Sequence, residues 1–300
     1  MQDPPVTHVM ATMKALIFTK MVDYQHSSTP AAAAWLLAAV TERGWKGVVS
    51  DDSSILEDGS VNRRLLDVLL AQITFFLSNQ TLEFDIIILV NNSGAIFDPA
   101  SQVLKKHLEA GRSVLGIHAA LATFLDGEDA SGLTHMKPTT PIIQETFRAH
   151  FKNHPVVQEA TVVIDHELAD AFSPNLASLP EKFSHTDEFF NFTSNPCDDP
   201  EVKVLAYVDE TTYEGGLMGA KHPMCWYLNT GPNNAKVFYC AMGHFSHFYN
   251  GLGVDVVQSL LGAGLDYCGA LPPGAAPSSN LGSSLAGDPT ERNKRAKVST

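Results

Sequence analysis

Histidine is the residue type through which this chain could do chemistry. The 300 residues include 12 histidines, and several follow runs that read as buried strands. His26 follows Lys14–Thr19, His118 closes the run from Ser113, His222 precedes Pro223, and His244 and His247 follow Lys236–Cys240. Imidazole suits proton transfer near neutral pH and is a common ligand for zinc or iron. One such histidine is more simply explained as a hydrogen-bonded part of the framework. Several at neighbouring strand ends converge on one crevice. His118 stands in Gly116-Ile-His-Ala-Ala120, a strand–turn–helix of the shape called a nucleophile elbow, where small neighbours allow a strained turn to present one side chain. The presented group is an imidazole, not a hydroxyl or thiol. That points to acid–base work or ligand binding and away from covalent acyl transfer.

Three other segments carry candidate groups. Thr186-Asp-Glu-Phe-Phe-Asn191 sets Asp187 and Glu188 among aromatic rings, as in sugar sites where acids meet hydroxyls and rings pack on sugar faces. It reads equally well as a loop with Phe189 and Phe190 in the core. His150-Phe-Lys-Asn-His154 has the i, i+4 spacing that can bind a metal on a helix, but it lacks the glutamate of HExxH and Pro155 ends it. Gly215-Gly-Leu-Met-Gly219 lacks the lysine-serine/threonine ending of a phosphate loop and reads as a turn.

The elements that must position these groups begin with a strand over Lys14–Thr19. Thr29-Pro30 opens a helix, with a capping hydroxyl before proline, that runs to about Arg43. Lys46–Ser50 is a strand, Val61–Leu77 an amphipathic helix, Phe84–Val90 the strongest strand, Pro99–Leu108 a helix and Ser113–His118 a strand. Strands apolar on both faces, alternating with helices, imply a parallel sheet covered on both sides, with ligands at the carboxyl ends of its strands. Tyr24, His26, Asp51, Asn91, Asn92 and His118 fall there. The second half holds an irregular loop over 126–141, strands over 160–165, 202–208, 224–228 and 236–240, and a closing helix over 253–267. The chain thus divides into a tail (1–13), one domain (14–270) and a tail (271–300) whose Pro, Gly, Ala and Ser content cannot bury a core and implies disorder.

Composition narrows the partners. A net charge of −13 argues against a nucleic-acid groove, which needs a surplus of lysine and arginine. It suits a neutral or cationic small molecule. The most apolar helical stretch, 31–40, is about half of the ~20 residues a membrane span requires, so no membrane partner is expected. None of the four cysteines forms a CxxC pair, which favours reduced thiols. The N-terminus lacks the pattern of a signal peptide. These readings suggest a cytoplasmic protein, with nuclear import through the basic cluster Arg292–Lys297 as the alternative; homo-oligomerisation stays open.

In order along the chain, Phe18-Thr-Lys with Tyr24-Gln-His-Ser-Ser28, Gly116-Ile-His-Ala-Ala120, Phe151-Lys-Asn-His-Pro155, Thr186-Asp-Glu-Phe-Phe-Asn-Phe192, His222-Pro223 with Trp226, and Tyr239-Cys-Ala-Met-Gly-His244 together resemble the ThuA-like (trehalose utilisation) family. The resemblance spans about residues 14–268. It implies a flavodoxin-like α/β fold, a parallel sheet with helices on both faces, related to class I glutamine amidotransferases. In those enzymes the elbow holds a cysteine that a histidine after a late strand activates. Here His118 takes the elbow and His244 resembles the late-strand histidine, so glutaminase activity is expected to be absent. The segment 126–146 departs from the family pattern and leaves the substrate undetermined.

The resemblance implies a carbohydrate-active enzyme, a hydrolase, lyase or isomerase acting on a disaccharide, keto-sugar or related glycoside. His118 and His244 would serve proton transfer or hydroxyl binding, with Asp187 and Glu188 as carboxylate partners. Tyr24, His26, Asn91, His154, His222 and Trp226 would shape the substrate pocket. The sequence demands no cofactor. Its rivals are a sugar-binding protein without chemistry and a hydrolase with a divalent metal on His26, His118 and His244.

Overall fold

The computed structural model describes residues 12–56, 84–126, 137–250 and 255–270. The expected helix over Val61–Leu77, the C-terminal tail, residues 127–136 of the irregular loop and the start of the expected closing helix lie outside them. Thirteen strands are described. They are β1 (Lys14–Phe18), β2 (Lys46–Ser50), β3 (Ile86–Val90), β4 (Ser113–Ile117), β5 (Leu125–Asp126), β6 (Lys137–Pro138) and β7 (Phe151–Asn153). Then come β8 (Gln158–Ile164), β9 (Lys182–Asp187), β10 (Asn191–Phe192), β11 (Lys203–Val208), β12 (His222–Thr230) and β13 (Ala235–Cys240). The helices are α1 (Thr29–Glu42), α2 (Val103–Glu109), α3 (Ile142–Phe147), α4 (His166–Phe172), α5 (His247–Asn250) and α6 (Val256–Gly269).

Nine strands form the main sheet in the order β2-β1-β3-β4-β13-β12-β11-β8-β9. The β2 to β13 half is parallel throughout. Every residue of β3 and β4 is buried, as near-continuous apolar runs require of strands covered on both faces. Side-chain parity in β4 shows that cover. Ser113 Oγ donates to the Cys268 carbonyl of α6 at 2.8 Å, whereas Gly116, of opposite parity, faces Phe147 of α3. A Cβ at Gly116 would stand 2.9 Å from that ring, so glycine is what lets α3 approach.

The other half of the sheet is antiparallel, an extension beyond the parallel sheet expected from the sequence. The cause is local. The turn Gly231-Pro-Asn-Asn234 has positive φ at both ends, 72° and 55°, and a short turn can join only antiparallel neighbours. Because directions alternate from β13 onward, β9 ends at the same edge of the sheet as β4 and β13. Register irregularities between β11 and β12 increase twist, and the ends of β9 and β13 meet: the Gly243 N–H donates to Asp187 Oδ2 at 2.9 Å. Among the described residues, no helix is long and apolar enough to cross a membrane.

Two further expectations differ in detail. The Thr29 hydroxyl does not cap α1; Ser28 holds that place without a side-chain cap bond, and both hydroxyls accept from Asn91 Nδ2, at 3.2 and 2.9 Å. The helix expected over Pro99–Leu108 breaks at Gln102, whose φ of 52° separates a single 3₁₀ turn from α2.

Candidate active site

His118 sits where β4 ends and the chain turns into a short 3₁₀ segment. Its φ is 47°, left-handed, and histidine is among the few non-glycine types enriched there. Tyr239 of β13 steadies the turn, its hydroxyl donating to the His118 carbonyl at 2.7 Å. The imidazole is fully buried and its Nδ1 lies 2.8 Å from the Ala241 carbonyl. A carbonyl only accepts, so Nδ1 carries the proton and Nε2 is the nitrogen turned to the cluster.

Around that Nε2 stand His244 Nδ1 at 3.4 Å and Glu188 Oε2 at 3.5 Å, and those two lie 3.2 Å apart. A tetrahedral ion with arms of about 2.0–2.1 Å separates its ligands by roughly 3.3 Å. The three observed edges match that figure. A ring nitrogen of His26 joins them, all four donors lying within 4.8 Å of one another. His26 is itself buried, and its Nδ1 has no hydrogen-bond partner among the described residues. His154 Nε2 approaches the other Glu188 oxygen at 3.8 Å.

The charges are arranged consistently. Burial, reinforced by the neighbouring His118, lowers His26 to about 3, so it stays neutral with a lone pair available. Burial also opposes charge on His118, but hydrogen bonding to Glu188 and the nearby Asp187 outweigh it and raise its pKa. Glu188 is desolvated too, yet the His118 and His244 hydrogen bonds hold it well below the usual carboxylate range. A carboxylate ringed by imidazoles results.

His26 and Glu188 face a cavity of about 450 Å³ that Tyr24, His154, Phe151 and Phe190 also line. The Phe190 ring lies 4.6 Å from His118 and 4.7 Å from Phe151 between centroids. The cavity is thus a pocket leading to the cluster.

Sequence comparison bears on this arrangement. The profile of the ThuA family, described as trehalose utilisation, matches residues 14–268. The chain belongs to the ThuA family. A crystal structure described as ThuA-like, from Bacteroides uniformis, shares 15% identity at a TM-score of 0.63, over 92% of this chain and 99% of that one. A second, from Parabacteroides merdae, has 14% identity and a TM-score of 0.47, over 86% and 90%. PurLQS from Thermotoga maritima has 10% identity and a TM-score of 0.40, over 86% and 99%. No curated protein matches the chain.

In this ThuA chain the residues expected at the site separate by position. His118, His244, Glu188 and His26 converge, and Tyr24 and His154 line the pocket. Asp187 does not face it. Its Oδ2 accepts from His185 Nε2 at 3.0 Å and from Gly243 N, and its Oδ1 from the Glu188 N–H at 2.8 Å. Burial would raise Asp187, but the His185 hydrogen bond leads the groups that lower it. It acts as a positioning residue between the β9 and β13 ends. Asn91, with φ 50°, braces Ser28, whose hydroxyl donates to the Gly243 carbonyl at 3.1 Å. Trp226 is fully buried, its Nε1 donating to the Phe147 carbonyl at 2.9 Å. His222 Nε2 donates to the Phe190 carbonyl at 2.9 Å and its Nδ1 meets Glu210 at 2.8 Å. These three stand outside the pocket lining and support it.

His185, Gly243 and Tyr249 escaped the sequence reading. His150 and His154 do not share a helix face, because the chain between them is β7; His150 Nε2 donates to the Thr123 carbonyl at 2.7 Å in the core.

Acid lability follows from two histidines outside the cluster. Burial lowers both His150 and His222 below 6.5, despite opposing hydrogen bonds. The unfolded chain then takes up protons that the folded one refuses, so stability is lost as pH falls below about 6.5. The thermal midpoint should drop between about pH 7.5 and about pH 5, and His150→Gln should flatten that slope. An unchanged midpoint over that range would contradict the assignment.

Proposed function

We propose that this ThuA-family chain is a metal-dependent enzyme acting on a sugar derivative, with His118, His244, Glu188 and His26 as the ligands of one divalent transition ion. The observation that carries the reading is the set of 3.2, 3.4 and 3.5 Å separations among His118, His244 and Glu188 donors, which matches the edges of a tetrahedron of ligands around one ion. Such an ion supplies Lewis-acid polarisation of a carbonyl or hydroxyl oxygen. The protein residues do the rest. Ala241 fixes the His118 tautomer, Asp187 and Gly243 set where His244 stands, and His154 is the proton-transfer candidate facing the pocket. Family membership, described as trehalose utilisation, supports a sugar-derived substrate. Glutaminase chemistry is not part of the proposal, since the elbow residue is histidine and burial pushes even the partly exposed Cys197 thiol up to about 11.

The test is elemental analysis of protein purified without chelator. A stoichiometric transition metal, removed by chelation together with activity, is the expected result. The second reading is acid–base catalysis by a His118–Glu188 pair without metal, favoured by the raised pKa of His118. Metal-free protein that turns over keto-sugars or glycosides undiminished would replace the first reading with the second.

A further inference from the structure

The walls of the pocket speak to what it takes. Polar side chains gather at His26, Glu188 and His154, next to the cluster, with Asp23 and Ser93 completing the polar part of the lining. The remaining lining is Ala119, Ala122, Leu125, Val156 and Val157 together with the aromatic rings of Tyr24, Phe151 and Phe190. Ser93 Oγ already donates to the Tyr24 carbonyl at 2.8 Å. No lysine or arginine lines the pocket among the described residues.

A free disaccharide carries hydroxyls on both rings, and each hydroxyl buried without a partner loses its hydrogen bonds to water. The aromatic rings can stack on one sugar face. Five aliphatic residues can pair with no hydroxyl at all. Away from the cluster the described lining offers no lysine or arginine to a phosphate or sulfate group, and its apolar side chains pair with no anion. Three of the wall residues remain open to solvent: Val156 is 69% exposed, Tyr24 60% and Val157 40%. Large apolar groups at a pocket mouth favour contact with an apolar ligand group.

We infer that the pocket selects a glycoside with an uncharged aryl or alkyl aglycone, the sugar at the His26–Glu188 end and the aglycone against Leu125, Val156, Val157 and Phe151, in preference to a free disaccharide. The inference rests on the sugar-acting reading of the cluster and adds the class of substrate.

Calorimetry on the protein as purified without chelator tests it with phenyl and octyl glucosides, methyl glucoside, trehalose, phenol and octanol as probes. Phenyl and octyl glucosides should bind at least about tenfold tighter than methyl glucoside or trehalose, the increment expected for burying an apolar group of that size. Val156→Asp and Val157→Asp, at exposed positions outside the cluster, should abolish the preference while leaving metal content and the thermal midpoint as in the wild type. Trehalose binding as tightly as phenyl glucoside, or a preference unmoved in both variants, overturns the inference while leaving the metal reading intact. Binding of phenol and octanol as tightly as of their glucosides would instead count against the sugar-acting reading. No binding of any probe overturns the inference.

Discussion

Substituting His118 with asparagine is expected to lower the affinity for a divalent ion by at least about a hundredfold, since even residues that only orient a ligand contribute ten- to a hundredfold. Asparagine is the informative replacement because it tolerates the left-handed φ of 47°, whereas alanine there adds a backbone penalty of about 1–2 kcal/mol. Its shorter side chain cannot set a donor where His118 Nε2 stands, 3.4 Å from His244 and 3.5 Å from Glu188. The asparagine Nδ2 can take the place of the imidazole Nδ1 toward the Ala241 carbonyl, but the buried space of the rest of the ring is left unfilled, so some stability should go too, about 1–3 kcal/mol. The variant should therefore unfold cooperatively at a lower midpoint and fail to hold the ion. Competition between the protein and a chromogenic chelator for Zn²⁺ measures the first effect, and calorimetric unfolding the second. Wild-type affinity in the variant would remove His118 from the ligand set. Loss of turnover with metal content unchanged would favour the acid–base reading.

The parallel half of the fold was legible because its physics is local. β3 and β4 are near-continuous apolar runs, which is the pattern that covered parallel strands need. With β1 beside them, the rule of strand ends led to His26 after β1 and His118 after β4, and the elbow pattern fixed which residue the turn presents. The ThuA resemblance extended this to His244. The antiparallel half was harder. β9 runs Lys-Phe-Ser-His-Thr-Asp, with His185 and Asp187 on its buried face, an inversion of the usual alternation that disguises a strand as a polar loop. That disguise explains Asp187. Neighbouring residues of an extended chain point to opposite sides, so Asp187 and Glu188, adjacent in sequence, do not serve one pocket as a pair. Glu188 turns to the imidazoles and Asp187 to the framework. His150 and His154 mislead in the opposite direction, since spacing on a helix means nothing in the strand they flank.

The junction that brings β9 and β13 together makes the second strong prediction. Gly243 has φ 145°. Its N–H is held by Asp187, and its carbonyl accepts from Ser28 and from the Tyr249 hydroxyl at 3.1 and 3.2 Å. A Cβ at this position would overlap the Tyr249 hydroxyl oxygen and stand 3.3 Å from Ile117 Cγ2 and 3.5 Å from His118 Cβ. Gly243→Ala should therefore destabilise the protein by about 2–5 kcal/mol, combining a backbone conformation that alanine rarely adopts with overpacking. Because His244 follows directly, the same change should weaken ion binding, an effect that a purely structural glycine elsewhere would not have. Tyr249→Phe alone should cost about 1 kcal/mol for its lost hydrogen bond. In Gly243→Ala/Tyr249→Phe the oxygen that the new methyl meets is gone, so the double variant should be more stable than Gly243→Ala alone. The steric overlap is relieved and the backbone strain stays, which makes the rescue partial. A cycle of the two substitutions measured by denaturant unfolding reads this as a coupling between them. Additive effects, or an alanine variant as stable as the wild type, would mean that the chain can shift away from Tyr249. The placing of His244 would then owe more to Asp187 than to the absence of a side chain at Gly243.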